Sequence, residues 1–125
     1  MMSYRSRPFS RLNNWIREKM KQLTPERQQR IDKILSRLSA YEPEQVILFG
    51  SFARNESDDI SDIDLVVIKE TNEDFFARIR RVLKILDLRT AIDVLVYTPA
   101  EFQTMKEQGN VLIETVLEEG IVLHG

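Results

Sequence analysis

A glycine–serine pair and three aspartates are the residues of this 125-residue chain whose types and spacing could do chemistry. Leu48-Phe49-Gly50-Ser51-Phe52-Ala53-Arg54 leads into an acidic loop that ends at Ser61-Asp62-Ile63-Asp64-Leu65. Gly50 would let a ligand approach the backbone. Ser51 offers a hydroxyl and an N–H at the start of a short helix, a place that attracts phosphate. Asp62 and Asp64 open the next strand, where a period of two aims both side chains at one face. Two carboxylates so placed repel each other unless a cation lies between them. Mg²⁺ suits that position, because it takes oxygen ligands and shares them with a substrate's phosphates. Asp93, flanked only by apolar residues, would be costly to bury unpaired. If its strand lies beside that of Asp64, its carboxylate completes an acidic cluster. Two metal ions about 4 Å apart in such a cluster stabilise both the attacking and the leaving oxygen of an in-line displacement.

Each piece also has a plainer reading. Gly-Ser after a strand is commonly only a turn, and an isolated Asp-x-Asp is commonly a solvated loop. Arg54 has Glu56 and the loop aspartates as ion-pair partners, and Asp93 has Arg89 or a capping role. The weight lies in the combination: a strand, Gly-Ser, ten residues, Asp-x-Asp entering a second strand, and one more Asp on a third.

Those residues need strands to hold them. Val46-Ile47-Leu48-Phe49 is a continuous apolar run that halts at Gly50 and reads as a strand buried on both faces. Asp64-Leu65-Val66-Val67-Ile68 is a second such run, and Ala91 to Tyr97 a third. Between these two runs the sequence predicts a helix capped by Thr71, with Glu73 and Asp74 in its first turn. Its apolar positions are Phe75, Phe76, Ile79, Val82, Leu83 and Leu86. Upstream, Thr24-Pro25 supplies a cap and a first helical residue for a helix that buries Ile31, Ile34, Leu35 and Leu38. Downstream, Thr98-Pro99-Ala100-Glu101 has the spacing of a capping box. A last helix, about 111–117, stops before Gly120, and Ile121-Val122-Leu123 closes as a strand. Helices alternating with three or four buried strands specify a two-layer α/β sandwich.

The totals bound the rest. A length of 125 residues with 42% hydrophobic content suits one domain with one core. The absence of Cys and a single His, His124, rule out a disulfide, a zinc centre of Cys and His ligands, and a Ser-His-Asp triad. Metal chemistry would therefore rest on oxygen ligands. No stretch approaches a membrane span and the first residues lack an apolar signal region, so the expected compartment is the cytoplasm. Net charge is −2, but residues 1–40 carry ten Lys/Arg against three Asp/Glu, which leaves eight against seventeen in the remainder. Phe9, Leu12, Trp15, Ile16, Met20 and Leu23, with Arg11, Arg17, Lys19 and Lys21 between them, predict a basic amphipathic helix. Residues 1–24 are thus either part of the domain or a partner contact, and 25–125 form the domain proper. The basic face is either a solvated surface or a contact for an acidic partner, and the acidity of the body argues against a nucleic-acid surface.

Gly50-Ser51, ten residues, and Asp62-Ile63-Asp64 resemble the signature of the DNA polymerase beta nucleotidyltransferase superfamily. More narrowly, Gly50-Ser51-Phe52-Ala53-Arg54 with Ser61-Asp62-Ile63-Asp64-Leu65 is similar to the minimal nucleotidyltransferase (MNT) group, commonly the antitoxin half of a pair with a HEPN-domain toxin. The resemblance covers residues about 25–125. It implies a mixed sheet flanked by helices, with Mg²⁺, as two ions, on Asp62, Asp64 and Asp93. The Gly50-Ser51 turn, with Arg54, would hold a nucleotide triphosphate. AMP would pass from ATP to an acceptor hydroxyl, in this group a tyrosine of the toxin. One departure is Asn55, where the family has Gly after the motif Arg; Asn tolerates the left-handed conformation better than most residues.

Two other functions are compatible with the chain. One is a binding module that occludes a partner protein, using the N-terminal helix with Trp15 as its anchor. The other is a transferase acting on a small molecule or an RNA end, for which little chain remains to build an acceptor pocket.

Overall fold

The computed structural model of the chain describes residues 24–53, 63–87 and 92–125, with Ser51 and Phe52 as backbone only. The expected basic helix before Thr24 lies outside the described residues, as do Arg54, Asp62 and Arg89.

Helix α1, Pro25–Leu38, begins as its sequence requires. The Thr24 hydroxyl accepts from the Arg27 amide at 3.3 Å, and Pro25 occupies the first turn, where its missing N–H leaves no bond unmade. Ile31, Ile34, Leu35 and Leu38, at helical spacing, are all fully buried. Burying each such side chain stabilises the fold by roughly 1.5–3 kcal/mol relative to exposure. A 3₁₀ turn, Ser39–Tyr41, and a left-handed Glu42 (φ 52°) then redirect the chain.

Strand β1, Gln45–Phe49, is central. It pairs antiparallel with β2, Ile63–Ile68, on one side and with β4, Ile121–His124, on the other. Strand β3, Ile92–Tyr97, pairs parallel with β2, so the four-stranded sheet has the order β3-β2-β1-β4 and is mixed, as expected. A parallel pair needs a long crossover. Helix α3, Phe75–Leu86, supplies it and packs beside α1. The four-residue helix α2, Gly50–Ala53, follows β1 directly, and α4, Pro99–Glu107, and α5, Val111–Glu119, connect β3 to β4.

Strand alternation divides the core into two clusters. Val46, Leu48, Leu65, Val67, Val94 and Val96 face α1 and α3 in the larger one. Ile47, Val66, Ile68 and Tyr97 face the other way, under Phe102 and Met105 of α4 and Ile113 and Val116 of α5. β1 is thus buried on both faces, which accounts for its unbroken apolar run.

Two local expectations are corrected. Asp74, not Thr71, caps α3: its carboxylate accepts from the Ala77 amide at 2.8 Å, and Thr71 instead accepts from the Glu73 amide one turn earlier. A carboxylate at a helix N-terminus gains from the dipole as well as the hydrogen bond, so it outcompetes a hydroxyl three residues upstream. Phe76 and Leu83 also fall outside the buried stripe, at 69% and 41% exposed, while Val82 and Leu86 carry the contact with the core. The capping box at Thr98 forms as its spacing predicts, with Thr98 and Glu101 each accepting from the other's amide. Among the described residues no helix is long and apolar enough to cross a membrane.

Candidate functional site

The candidate site lies where β1 ends and β2 and β3 begin. Because β1 is antiparallel to β2, Phe49 at its last position is the cross-strand partner of Asp64. Because β3 is parallel to β2, Asp93 is the register partner of Asp64 on the other side. Phe49, Asp64 and Asp93 therefore form one row across three adjacent strands, which are spaced about 4.8 Å apart. Register partners project from the same face, and by alternation this is the face of Ile47, Val66 and Leu95. Gly50 follows Phe49 directly, so the glycine–serine turn stands at the end of the row.

Exposure differs along it. Asp64 is half-buried and Asp93 is exposed, so the expectation that burial would make Asp93 costly to leave unpaired is corrected. It sits at the second residue of an edge strand, where solvent reaches it.

Gly50 adopts φ +77°, a conformation L side chains rarely take. A Cβ added there would overlap the Asp64 carboxylate at Oδ2 and lie 3.3 Å from its Cγ. What the absent side chain admits within the molecule is thus the carboxylate of Asp64, in addition to whatever approaches the turn from outside. Helix α5 packs beside both α2 and β1 and braces the turn on the same sheet face as the row.

Of the six residues singled out in the sequence, the fold brings Gly50, Asp64 and Asp93 together and places the backbone of Ser51 with them. Asp62 and Arg54 lie outside the described residues. Among the described residues no set of three acidic or histidine side chains could hold a metal ion. The two carboxylates present are hard oxygen donors side by side at an accessible strand end, the type of donor that suits Mg²⁺. Phe49, to which the sequence reading gave no role, flanks Asp64 with a partly buried ring; only the register between strands identifies it.

A second concavity does not belong to this site. A shallow cleft of about 420 Å³ is lined by Phe75, Tyr97, Ala100, Glu101, Thr104 and Met105. Tyr97 is four residues along β3 from Asp93, about 13 Å away. The one carboxylate in the cleft, Glu101, is engaged by the Arg78 guanidinium at 2.7 Å, which holds it below the usual carboxylate range.

The chain is similar to known proteins over most of its length. The family model described as Polymerase beta, Nucleotidyltransferase matches residues 29–125. Among solved structures, a toxin–antitoxin complex crystallised with AMP-PNP contains a chain similar to this one. The match has a TM-score of 0.53 and 24% identity and covers 82% of this chain and 74% of that chain. A candidate nucleotidyltransferase from Sulfolobus solfataricus aligns at TM-score 0.48 and 18% identity, covering 88% of this chain and 86% of that one. No protein of curated function matches the sequence.

Proposed function

The chain belongs to the polymerase beta nucleotidyltransferase family, and from that premise we propose that it transfers AMP from ATP to a hydroxyl on a partner protein, a tyrosine of a HEPN-type toxin. The observation that carries the reading is the row of Asp64 and Asp93 in register, beginning at the Gly50 turn. The likeness to a toxin–antitoxin complex with AMP-PNP supports both an adenine nucleotide and a toxin partner for this chain.

In this reading Asp62, Asp64 and Asp93 hold Mg²⁺ as two ions, and Gly50, Ser51 and Arg54 receive the triphosphate. Bound Mg²⁺ offsets the charge of the triphosphate and lowers the pKa of an attacking hydroxyl. The remaining work falls to the chain. The turn after β1 brings backbone rather than side chain up to the phosphates. The row of carboxylates fixes the acceptor side of the site relative to that turn. The acceptor oxygen forms a bond to the α-phosphorus, the bond to pyrophosphate breaks, and the hydroxyl proton passes to a carboxylate oxygen of Asp93. Asp93 is the exposed member of the row and so the one an external hydroxyl reaches.

The test is to incubate the protein with Mg²⁺, host lysate and ATP labelled on the α- or the γ-phosphate, beside the Asp62→Asn/Asp64→Asn variant. Transfer of α-label alone to a protein, lost in the variant, is the expected result and identifies the acceptor. Absence of transfer, with the variant still capturing the same partner, would instead make the chain an occluding module.

A further inference from the structure

We infer that Gly50 is a positioning residue for Asp64, setting where this carboxylate points by leaving it the space that any side chain at position 50 would fill. The inference rests on the reading of Asp64 as a metal-holding carboxylate and assigns Gly50 a task separate from admitting the triphosphate.

Two requirements coincide at Gly50 and can be separated by comparison with Gly109. Gly109 also has a positive φ, +67°, but a Cβ there would meet only Glu114 Oε1, at 3.5 Å, an ordinary contact. Backbone conformation alone accounts for Gly109. At Gly50 a Cβ would collide with Asp64 Oδ2, stand 3.3 Å from Cγ and touch the Asp64 Cβ at 3.5 Å. The whole Asp64 side chain lies along the glycine. Neither partner can retreat freely, because Phe49 and Asp64 are locked in register by the β1–β2 ladder. The relief left is rotation of the Asp64 side chain about χ1 or of its carboxylate about χ2, and either moves Oδ2 from the place it now occupies. Mg²⁺ demands near-octahedral ligands at about 2.0–2.1 Å, so a carboxylate displaced in this way stops serving it. The turn that meets the nucleotide and the carboxylate that holds the metal are therefore in direct contact through one α-carbon, and a change at either is felt at the other.

The test separates the Cβ from the backbone strain. Asn tolerates left-handed φ, so Gly50→Asn keeps the turn while adding a Cβ. Thermal midpoints of the wild type, Gly50→Asn, Asp64→Ala and the double variant form one cycle, read without metal. The expected result is that Gly50→Asn lowers the midpoint and that most of this loss disappears in the Asp64→Ala background. Additive effects would overturn the inference. A second measurement uses Mn²⁺ alone, followed by electron paramagnetic resonance, with affinity expected to fall at least tenfold in Gly50→Asn and in Asp64→Asn. Wild-type affinity in Gly50→Asn would also overturn it. If the wild type binds no Mn²⁺, the catalytic reading fails, whereas the metal-free cycle still decides the contact between Gly50 and Asp64.

Discussion

The Arg78 guanidinium grips the Glu101 carboxylate with two hydrogen bonds, at 2.7 and 3.3 Å, and so ties the crossover helix α3 to the first turn of α4. Arg78 is buried and also donates to the Glu73 and Val96 carbonyls. Glu101 closes the capping box with Thr98. The two helices lie on either side of β3 in sequence, so this pair fixes the strand that delivers Asp93.

Removing Arg78 strands several acceptors and empties buried volume, whereas removing Glu101 leaves the guanidinium with its two carbonyls. Arg78→Ala is expected to cost about 2–4 kcal/mol. Glu101→Gln should cost no more than about 1 kcal/mol, because 45% exposure of Glu101 screens the charge. Urea unfolding measures both.

The same pair sets a pH dependence. The hydrogen bond from Arg78, ahead of that from the Thr98 amide, holds Glu101 below its ordinary value of 4.5. A depressed folded-state pKa contributes stability that is complete above the unfolded value and lost as pH falls through the folded one. The stability difference between wild type and Glu101→Gln should therefore be constant above about pH 5.5, one unit over the ordinary value, and should shrink steadily below pH 4.5. A difference that persists unchanged at pH 3 would assign the pair no electrostatic role.

The helix caps show what a sequence can and cannot reveal. Thr24 and Thr98 were legible because each precedes Pro and stands alone at the right spacing. At α3 two candidates compete, and Asp74 holds the cap. Asp74→Ala is expected to cost about 0.5–2 kcal/mol. Thr71→Ala should cost well under half of that, and chemical denaturation of the two variants distinguishes them.

Legibility fails in a regular way. The continuous apolar runs of β1, β2 and β3 announce strands, and Gly50-Ser51 and Asp64 announce a candidate site, because those signals are local. Whether Asp93 stands beside Asp64 depends on a register set by pairing across an intervening helix, and nothing in residues 92–97 alone encodes it. Arg78 and Glu101 are 23 residues apart on separate helices; the spacing from Thr98 reveals Glu101 as a capping-box residue, but nothing local pairs it with Arg78. The exposure of Phe76 and Leu83 was hidden for the same kind of reason, since the buried arc of α3 is chosen by what packs on it.

Asp93 and Asp64 project from neighbouring strands in register, and like charges so placed repel. Without metal, Asp93→Asn should raise stability, by about 0.2–1 kcal/mol. With millimolar Mg²⁺ the order should reverse, because the wild type gains the stabilisation that a ligand of the folded state confers and the variant does not. Thermal midpoints with and without Mg²⁺ test this directly, and a Mg²⁺-independent gain in the variant would detach Asp93 from the metal.

Gly120 offers a contrast with the left-handed glycines. Its backbone, φ −70° and ψ 151°, is open to any residue, so conformation does not require glycine there. A Cβ at this position would run into the Val116 carbonyl and stand 2.7 Å from Cγ2 of Ile47. Both neighbours are fixed, one as helix backbone and the other as a buried side chain of the central strand. Gly120 thus lets the end of α5 close onto β1, two residues before the turn at Gly50. Gly120→Ala is expected to destabilise by about 1–3 kcal/mol, as overpacking of a formed core does. Gly109→Asn, which keeps a left-handed φ and meets only the end of Glu114, should cost less than 1 kcal/mol. If unfolding midpoints show the reverse order, the close approach of α5 to β1 is softer than the geometry requires, and the bracing of the Gly50 turn by α5 falls with it.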